Sequence, residues 1–194
     1  MTVPFVGFPK MPRLQRDVVI TEKIDGTNAQ IHITKDGDFY IGSRKRWITP
    51  SSDNFGFAQW ATENKEELME LGPGPHFGEW WGQGIQRRYG LEEKRFSLFN
   101  TLRWASATND LLPIPSNNPT ADIKYQEYPP DCCHVVPEMY RGPFNDRAYQ
   151  RRLEWLKISG SWAAPGFMNP EGIVVYHLHA RMGFKVTIDD DHKG

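Results

Sequence analysis

The chain has few cysteines and no long apolar run. Its only two cysteines, Cys132 and Cys133, are adjacent in 194 residues. A disulfide between sequence neighbours is strained and the spacing matches no usual zinc motif, so both thiols are predicted to be reduced and to lie in a buried strand. No apolar run reaches the ~20 residues that cross a bilayer, and proline and charge replace the apolar block of a signal sequence at the N-terminus. These absences predict an intracellular, cytoplasmic protein with no membrane partner.

An excess of charge of one sign is also lacking, because 23 lysines and arginines balance 24 aspartates and glutamates. Without an overall positive field, binding of nucleic acid would have to use a local patch. The hydrophobic content of 39% and the charged content of 24% are typical of a globular protein, and the length predicts a single domain over residues 1–194. A proline-rich stretch at about 105–130 without periodicity is predicted to be an irregular excursion from that domain.

Hydrophobic periodicity predicts both strands and helices. Alternating apolar residues from Val18 to Ser43 predict three strands, which we expect to form an antiparallel meander. Apolar residues recur every three or four positions from Asn54 to Leu71, which predicts one amphipathic helix. The remaining predicted elements are strands at His76–Trp81, Arg95–Asn100 and Cys132–Tyr140, a helix from Asn145 to Gly160, and a hairpin of Glu171–His179 with Met182–Ile188. Clustered strands without regular βαβ alternation predict an α+β fold with mostly antiparallel sheets and flanking helices.

The most informative stretch of the chain runs from Glu22 to Asn28. Lys23 ends a β-branched strand, and a turn containing Asp25 and Gly26 follows it. A lysine at the rigid end of a strand projects into space that a ligand could occupy, and its free amine is a nucleophile. Similar Lys-x-Asp-Gly strings also occur in solvated hairpins, so this stretch alone does not establish a site.

Five further short motifs follow Lys23, each on or beside a predicted strand. In chain order they are Ser43-Arg44-Lys45, Phe77-Gly78-Glu79-Trp80, Phe96-Ser97-Leu98-Phe99-Asn100, Pro170-Glu171-Gly172-Ile173-Val174-Val175 and Phe184-Lys185-Val186. Together with Glu22-Lys23-x-x-Gly26-Thr27-Asn28, the ordered series resembles the covalent nucleotidyltransferase superfamily of ATP-dependent DNA ligases, RNA ligases and mRNA capping enzymes. The closest resemblance is to the RNA ligase 2-like family, which includes phage RNA ligases and kinetoplastid editing ligases.

The resemblance implies a nucleotidyltransferase domain, similar to ATP-grasp domains, with the activity of an ATP-dependent RNA ligase. Lys23 would attack the α-phosphorus of ATP and form a lysyl-adenylate with release of pyrophosphate. The AMP would then pass to the 5′-phosphate of an RNA, and a 3′-hydroxyl would seal the strand. The implied cofactors are ATP and Mg²⁺ or Mn²⁺, and the implied partner is RNA with 5′-phosphate and 3′-hydroxyl ends. A protein partner for substrate recognition is left open.

The same resemblance assigns roles to individual side chains. The implied catalytic residues are Lys23, Glu171, which would position Lys23 or a metal-bound water, and Lys185, which would contact the α-phosphate. The residues implied in nucleotide binding are Glu22, Asp25, Gly26, Asn28, Arg44, Glu79 and Phe99. Arg44 would hold a phosphate, Glu79 would accept a hydrogen bond from the ribose, and Phe99 would stack on adenine. Without the motif series they would be a solvated cation, a surface acid and a core aromatic. No motif identifies a direct metal ligand.

Two departures from the family pattern leave other functions open. Thr187 stands where many family members have a second lysine, for which Lys193 is a candidate substitute. The chain also ends at Gly194, without room for the C-terminal domain of many ligases. The alternatives are a minimal ATP-dependent DNA ligase, a GTP-using guanylyltransferase of the capping type, and a non-catalytic nucleotide- or RNA-binding module.

Two further groups of residues have both a functional and a structural interpretation. Trp80, Trp81 and the basic loop with Arg87 and Arg88 either contact phosphate or nucleic acid, or are aromatic packing and a solvated turn. His177 and His179 are expected to share one face of a strand, which suits a metal pair, but no third ligand is visible.

Overall fold

The protein is described by a computed structural model that covers residues 3–8, 10–11, 13–105 and 127–189. Most of the excursion predicted at about 105–130 and the candidate residue Lys193 lie outside these described residues. In the described part of the chain the strands are β1 (Asp17–Lys23), β2 (Thr27–Ile33), β3 (Phe39–Ser43), β4 (Gly74–Gly82), β5 (Lys94–Leu98), β6 (Cys133–Val135), β7 (Glu138–Pro143), β8 (Gly172–His177) and β9 (Met182–Thr187).

These strands form two sheets, with the strand orders β7-β1-β8-β9 and β3-β2-β4-β5-β6. Every pairing is antiparallel except that of β5 with β6. The predicted α+β class with mostly antiparallel sheets is therefore confirmed. Among the described residues, no helix has both the length and the apolar character needed to span a bilayer.

The meander predicted from Val18 to Ser43 has the right strands and the right antiparallel pairing of β2 with β3, but the predicted pairing of β1 with β2 is wrong. β1 pairs with β7 and β8 in the four-stranded sheet, whereas β2 pairs with β3 and β4 in the five-stranded sheet. Alternation shows which residues form a strand, but the partners of β1 come from distant parts of the chain and alternation does not reveal them. The turn after Lys23 therefore crosses between the sheets, and Lys23 lies at the crossing.

Each sheet buries one face against helices. The five-stranded sheet packs on α1 (Phe57–Glu63), α2 (Lys65–Leu68) and a short 3-10 helix (Met69–Leu71), and Phe57 contacts Trp80 and Phe96 with ring centroids 5.4 and 5.0 Å away. The single helix predicted from Asn54 to Leu71 is wrong, because the chain leaves helical geometry at Asn64. The side-chain amide of Asn64 donates to the Trp60 carbonyl at 2.8 Å and ends α1 there.

The four-stranded sheet packs on α3 (Asp146–Ser159), which begins and ends as predicted. The Asn145 side chain accepts a hydrogen bond from the Ala148 N–H at 2.9 Å, and this bond caps the first turn. Gly160 ends the helix with a φ of 79°, a conformation that glycine adopts without strain.

The single strand predicted at Cys132–Tyr140 is wrong, because this stretch contains β6 and β7, which belong to different sheets. Between them, the Val136 N–H donates to the Leu98 carbonyl in one sheet, and the Pro137 carbonyl accepts from the Glu22 N–H in the other, both at 3.0 Å. Proline interrupts a ladder because it has no N–H to donate. Both cysteines are free as predicted, but only Cys133 is a buried strand residue, since Cys132 precedes β6 and is partly exposed.

Candidate active site

The amine of Lys23 is held by a carboxylate from the neighbouring strand. Lys23 ends β1 and pairs in register with Gly172, the first residue of β8, so Glu171 lies one position away. Lys23 Nζ donates to Glu171 Oε2 at 2.6 Å, and the two side chains are 26% and 17% exposed. This charge-assisted hydrogen bond fixes the amine at the crossing between the sheets and leaves it accessible from one side.

Lys23, Gly172 and Thr187 lie side by side on the neighbouring strands β1, β8 and β9. Gly172 pairs with both Lys23 and Thr187, so only a glycine separates these two residues, which lie about 10 Å apart at ordinary strand spacing. A Cβ on Gly172 would lie 2.2 Å from the Val186 carbonyl oxygen, which is closer than packing allows. The close approach of β9 to β8 beside Lys23 therefore requires glycine at position 172.

Lys185 lies on the same sheet face as Lys23 but is not in contact with it. Lys185 pairs with Val174, and Val174 pairs with Thr21, so Lys185 and Thr21 lie on the same face of the sheet. Thr21 is two residues before Lys23, and residues two apart on a strand share a face, so Lys185 and Lys23 also lie on one face. The Lys185 side chain is exposed and makes no ion pair or hydrogen bond with a described residue. On this face of the four-stranded sheet, Lys23 is therefore bonded to a carboxylate, whereas Lys185 is exposed to solvent.

Glu79 approaches the crossing from the five-stranded sheet. It lies in register opposite Asn28, and its carboxylate accepts from the Gly26 N–H at 3.2 Å and from Asn28 Nδ2 at 3.3 Å. Glu79 is 8% exposed, and burial raises its pKa to about 7 against the opposing effects of Lys23 and the Gly26 N–H. The negative charges of Glu171 and Asp25 raise the pKa further. Near neutral pH, Glu79 can therefore either accept or donate a hydrogen bond.

The turn between the sheets is packed tightly against β4. A Cβ on Gly26 would lie 2.5 Å from the Trp80 carbonyl oxygen, 2.7 Å from the Trp81 Cβ and 2.9 Å from the Glu79 Cγ. The backbone N–H of Asp25 donates to the Tyr89 hydroxyl at 2.8 Å, and burial raises the pKa of that hydroxyl. Glycine at position 26 lets the turn lie directly on the strand that carries Glu79.

Arg87 joins this turn to the C-terminal end of the described chain. Arg87 Nε donates to Asp25 Oδ2 and Arg87 Nη2 donates to Asp189 Oδ2, both at 3.1 Å. The Arg87 side chain is 22% exposed, so these bonds are formed at the edge of the site. The predicted phosphate contact is thus an internal ion-pair network, and Trp80 and Trp81 are buried at 2% and 1% exposure, as the packing interpretation expects.

Arg87 also holds the segment that leads into Glu171. Arg87 Nη1 donates to the Asn169 carbonyl at 3.1 Å, to Asn169 Oδ1 at 3.0 Å and to the Pro170 carbonyl at 3.3 Å. The same side chain therefore contacts the residues that follow Lys23 and those that precede Glu171. Sequence reasoning missed this role, because the partners lie 62 to 102 positions away along the chain and form no local pattern.

Arg44 and Phe99 lie next to paired strand residues on the five-stranded sheet. Arg44 directly follows β3, whose last residue, Ser43, pairs with Ala29, the residue after Asn28. The Phe99 N–H donates to the Phe77 carbonyl at 2.9 Å, so Phe99 continues the face that carries Glu79. Phe99 is 41% exposed, whereas Phe96 is buried on the other face, as predicted.

The carboxylate of Glu22 lies on the opposite side of β1 from Lys23, because adjacent strand residues alternate in direction. It is 1% exposed and accepts from Ser161 Oγ, the Trp162 N–H and the Ala163 N–H at 2.6, 2.7 and 2.9 Å. Burial raises the pKa of Glu22, and the three donors oppose that rise. The structure does not bring this carboxylate to the Lys23–Glu171 pair, and its predicted role in nucleotide binding stays a prediction.

The histidine pair predicted on one strand face is wrong, because β8 ends at His177 and His179 lies in the following turn. His177 is buried, and its Nε2 bonds to the carbonyls of Arg13 and Leu14 at 3.0 and 3.1 Å. His179 is exposed. Over the described ranges, no group of three or more His, Cys, Asp and Glu side chains is arranged to hold a metal ion.

The comparisons with known proteins agree on one family and one fold. A family model described as RNA ligase matches residues 16–188. An apo mutant of the Naegleria gruberi RNA ligase is similar in structure with a TM-score of 0.56 and 19% identity, over 89% of this chain and 50% of that chain. A mutant of the same organism's ligase with ATP and Mn has a TM-score of 0.53 and 20% identity, again over 89% of this chain and 50% of that chain.

The same organism's RNA ligase with PPi has a TM-score of 0.53 and 19% identity, over 89% of this chain and 50% of that chain. The present chain therefore spans about half the length of these ligases, and at this low identity the structural similarity shows a shared fold alone. No curated protein matches the chain in sequence.

Proposed function

Since the chain belongs to the RNA ligase family, we propose that it catalyses ATP-dependent RNA ligation with Lys23 as the residue that carries AMP. The single observation that carries this proposal is the Lys23–Glu171 hydrogen bond of 2.6 Å at the crossing between the two sheets. A partly accessible amine that is hydrogen-bonded to a carboxylate able to accept its proton suits a lysine nucleophile with an adjacent general base. The similarity to ligases that bind ATP or pyrophosphate supports ATP as the nucleotide.

In the first step, Lys23 Nζ attacks the α-phosphorus of ATP. A nitrogen–phosphorus bond forms, the bond from the α-phosphorus to the bridging oxygen breaks, and pyrophosphate leaves. Glu171 Oε2 accepts the Nζ hydrogen at 2.6 Å, so Glu171 aims the amine and is placed to receive its proton. Removal of that proton frees the electron pair that forms the new bond.

In the second and third steps, the AMP moves to RNA and the strand is sealed. An oxygen of the RNA 5′-phosphate attacks the adenylate phosphorus, the nitrogen–phosphorus bond breaks, and Lys23 recovers its amine. A 3′-hydroxyl then attacks the activated 5′-phosphorus, a phosphodiester forms, and AMP leaves. We propose that the substrate has 5′-phosphate and 3′-hydroxyl ends, because these are the ends that this exchange joins.

Other side chains at the crossing suit the recognition of a nucleotide. Lys185 and Arg44 are exposed cations without partners in the described chain, so each is free to pair with phosphate oxygens. Glu79 and Asn28 are bonded to each other on one sheet and can exchange hydrogen bonds with ribose hydroxyls. The exposed ring of Phe99 on the same face offers a stacking surface for adenine.

The residues near Lys23 fit a divalent cation that binds together with a nucleotide. Mg²⁺ commonly takes one or two carboxylates and completes its shell with water and substrate phosphates, so Glu171 would hold it, directly or through a water. When bound, the cation neutralises charge on the triphosphate and stabilises the leaving pyrophosphate. We further propose that the chain is one adenylyltransferase domain, since Ile24, Trp81 and Ala164 form a core that joins the sheets.

Intact mass after incubation with ATP and Mg²⁺ tests the proposal directly. We expect the wild-type protein to gain one AMP, and we expect Lys23→Ala to gain none. Lys157→Ala is the matched control, because Lys157 is exposed near the end of α3 and should leave labelling unchanged. No adduct on the wild type, or an equal adduct on Lys23→Ala, would contradict the assignment.

Two further comparisons on the same protein test whether it uses ATP or GTP and whether it joins RNA or DNA. Labelling by GTP in preference to ATP would contradict ATP-dependent ligation and indicate a capping-type enzyme. Sealing is then measured with paired RNA and DNA strands that carry 5′-phosphate and 3′-hydroxyl ends. We expect RNA to be preferred, and loss of sealing with retained labelling when the 2′-hydroxyl next to the joining end is removed would show that the enzyme reads the sugar.

A further inference from the structure

The sheet face that carries Glu79 continues away from Lys23 as an exposed surface. Gln30 and Phe77 form the next row of this face, and His32 lies two residues farther along β2 opposite Tyr40. At ordinary strand spacing, the row of His32 and Tyr40 is about 13 Å from the row of Glu79. The opposite face of these strands is the buried core, so the exposed rings are not part of that core.

Three rings form a cluster at the far end of this face. The ring centroids of Tyr40 and Trp47 are 5.5 Å apart, and the His32 ring lies 6.5 Å from Tyr40 and 6.1 Å from Trp47. Although they contact each other, Tyr40 remains 45% exposed and Trp47 53% exposed. Aromatic side chains that bury only part of their area leave flat apolar faces open to a ligand.

Phe77 lies between this cluster and the nucleotide site. It is 53% exposed, and its carbonyl accepts from the N–H of the similarly exposed Phe99. The face therefore carries exposed aromatic side chains in successive rows, beginning next to Glu79 and ending at Tyr40. Exposed aromatic side chains that extend away from a nucleotide site can stack with the successive bases of a nucleic-acid strand.

The turn that leads from β3 to Trp47 carries cations. Arg44 and Lys45 are exposed, and neither makes an ion pair or hydrogen bond with a described residue. By contrast, Arg46 Nη1 donates to the carbonyl and hydroxyl oxygens of Ser52 at 3.2 and 2.9 Å, so Arg46 holds the loop in place. Positive charge next to stacking surfaces matches a polyanion with flat bases, although the protein as a whole has a formal charge of −1.

We propose that Tyr40, Trp47, Phe77 and Lys45 bind an unpaired segment of the RNA substrate that leads away from Lys23. We call this group the Trp47 surface. The proposal rests on the proposed function and adds that the RNA bound at this surface is single-stranded. An unpaired strand is required because aromatic rings stack on base faces that a duplex keeps covered. An apolar peptide would leave Lys45 without a counter-charge.

The test measures RNA binding and self-adenylation on the same variants of the full chain. Anisotropy of a labelled, 5′-phosphorylated single-stranded RNA gives the affinity, and intact mass gives the adenylation rate. We expect the double variant Tyr40→Ala/Trp47→Ala to bind this RNA about 10-fold or more weakly, because two stacking surfaces are lost. Its adenylation rate should equal that of the wild type, since neither ring lies at the Lys23 crossing.

Matched variants separate stacking from charge and from general damage. Trp155→Ala removes an equally exposed tryptophan, 48% exposed on α3, and should leave RNA affinity unchanged. Trp47→Phe keeps a ring and should restore most of the affinity. Lys45→Glu should weaken RNA binding and reduce the slope of log affinity against log salt concentration by about one. Lys157→Glu on α3 should change neither quantity.

Wild-type affinity in the double variant, with adenylation intact, would overturn the Trp47 surface and leave the proposed function standing. An equal loss of affinity for a blunt RNA duplex would overturn the claim that the bound segment is unpaired. If the double variant does not adenylate, Trp47→Phe and Lys45→Glu carry the test. An unlabelled wild type would contradict the proposed function instead.

Discussion

Glu171 and Glu79 approach the same crossing from different sheets, and their surroundings differ. Glu171 accepts from the Lys23 ammonium at 2.6 Å, whereas Glu79 accepts from the neutral donors of Gly26 and Asn28 at 3.2 and 3.3 Å. Burial is the largest effect on Glu79 and raises its pKa to about 7. A buried carboxylate without a directly bonded cation tends to keep its proton. The four-stranded sheet therefore holds a charge pair, and the five-stranded sheet holds a carboxyl that changes its protonation state near neutral pH.

The largest expected effect comes from removing the charge of Glu171. In Glu171→Gln the amide still has an oxygen near Lys23 Nζ but can no longer receive its proton, so we expect the adenylation rate to fall about 100-fold or more. Single-turnover labelling followed by intact mass measures this rate. Glu154→Gln on the exposed side of α3 is the control. A fall of only a few fold would show that the charge pair does not set the reactivity of Lys23.

The next effect concerns Glu79 and depends on pH. The folded carboxyl keeps its proton up to about pH 7, while the unfolded chain releases it near the ordinary pKa of 4.5. Because the folded state binds more protons between these values, this group makes the free energy of unfolding fall as pH rises through that window. Glu79→Gln removes the titration, so its stability relative to the wild type should rise by up to about 3 kcal/mol between pH 4 and pH 8.

Urea denaturation at both pH values measures the effect on Glu79. Glu154→Gln should parallel the wild type, because Glu154 is exposed on α3. If Glu79→Gln also parallels the wild type across the range, the difference between the two carboxylates is not the one that burial predicts.

The smallest effect is expected from Arg87, which bonds both to the turn after Lys23 and to the segment before Glu171. Arg87→Ala removes hydrogen bonds to Asp25, Asn169 and Asp189, and we expect the free energy of unfolding to fall by about 1–2 kcal/mol, since the side chain is partly exposed. The adenylation rate should fall as well, because Glu171 is then less firmly placed. Arg88→Ala is the neighbouring control, with an exposed side chain that bonds to no described side chain. Equal effects of the two variants in urea denaturation and labelling would remove Arg87 from this role.

Local sequence signals predicted the elements whose ends are set by nearby residues. α3 begins after Asn145 and ends at Gly160 as predicted, because capping and the left-handed conformation act within one turn. The helix predicted from Asn54 to Leu71 failed at Asn64, where a side-chain hydrogen bond to Trp60 outweighs the apolar periodicity. Prediction of the strand from Cys132 to Tyr140 failed because its two halves pair in different sheets.

The motif series predicted residues that the structure brings close together, but it did not predict all of their contacts. Lys23, Glu171 and Glu79 come from the motif series, and the structure brings them to one crossing. Glu22 belongs to the same series, yet its carboxylate bonds to the segment that begins at Ser161. Lys185 shares a face with Lys23 without contacting it. Strand alternation specifies that Glu22 and Lys23 lie on opposite sides of β1, but the order of motifs does not specify which distant donors the Glu22 carboxylate meets there.

The sequence by itself determined most of the strands, the helix that begins after Asn145, and the residue types available for chemistry, because periodicity and capping act over a few positions. Only the tertiary structure decided that β1 and β2 lie in different sheets, which places Lys23 between them. It also decided that Arg87 binds residues 62 to 102 positions away and that Glu79 is buried enough to hold a proton near neutral pH. These features depend on which distant segments pack together and on how completely they exclude water. A local sequence pattern predicts neither the packing nor the exclusion of water.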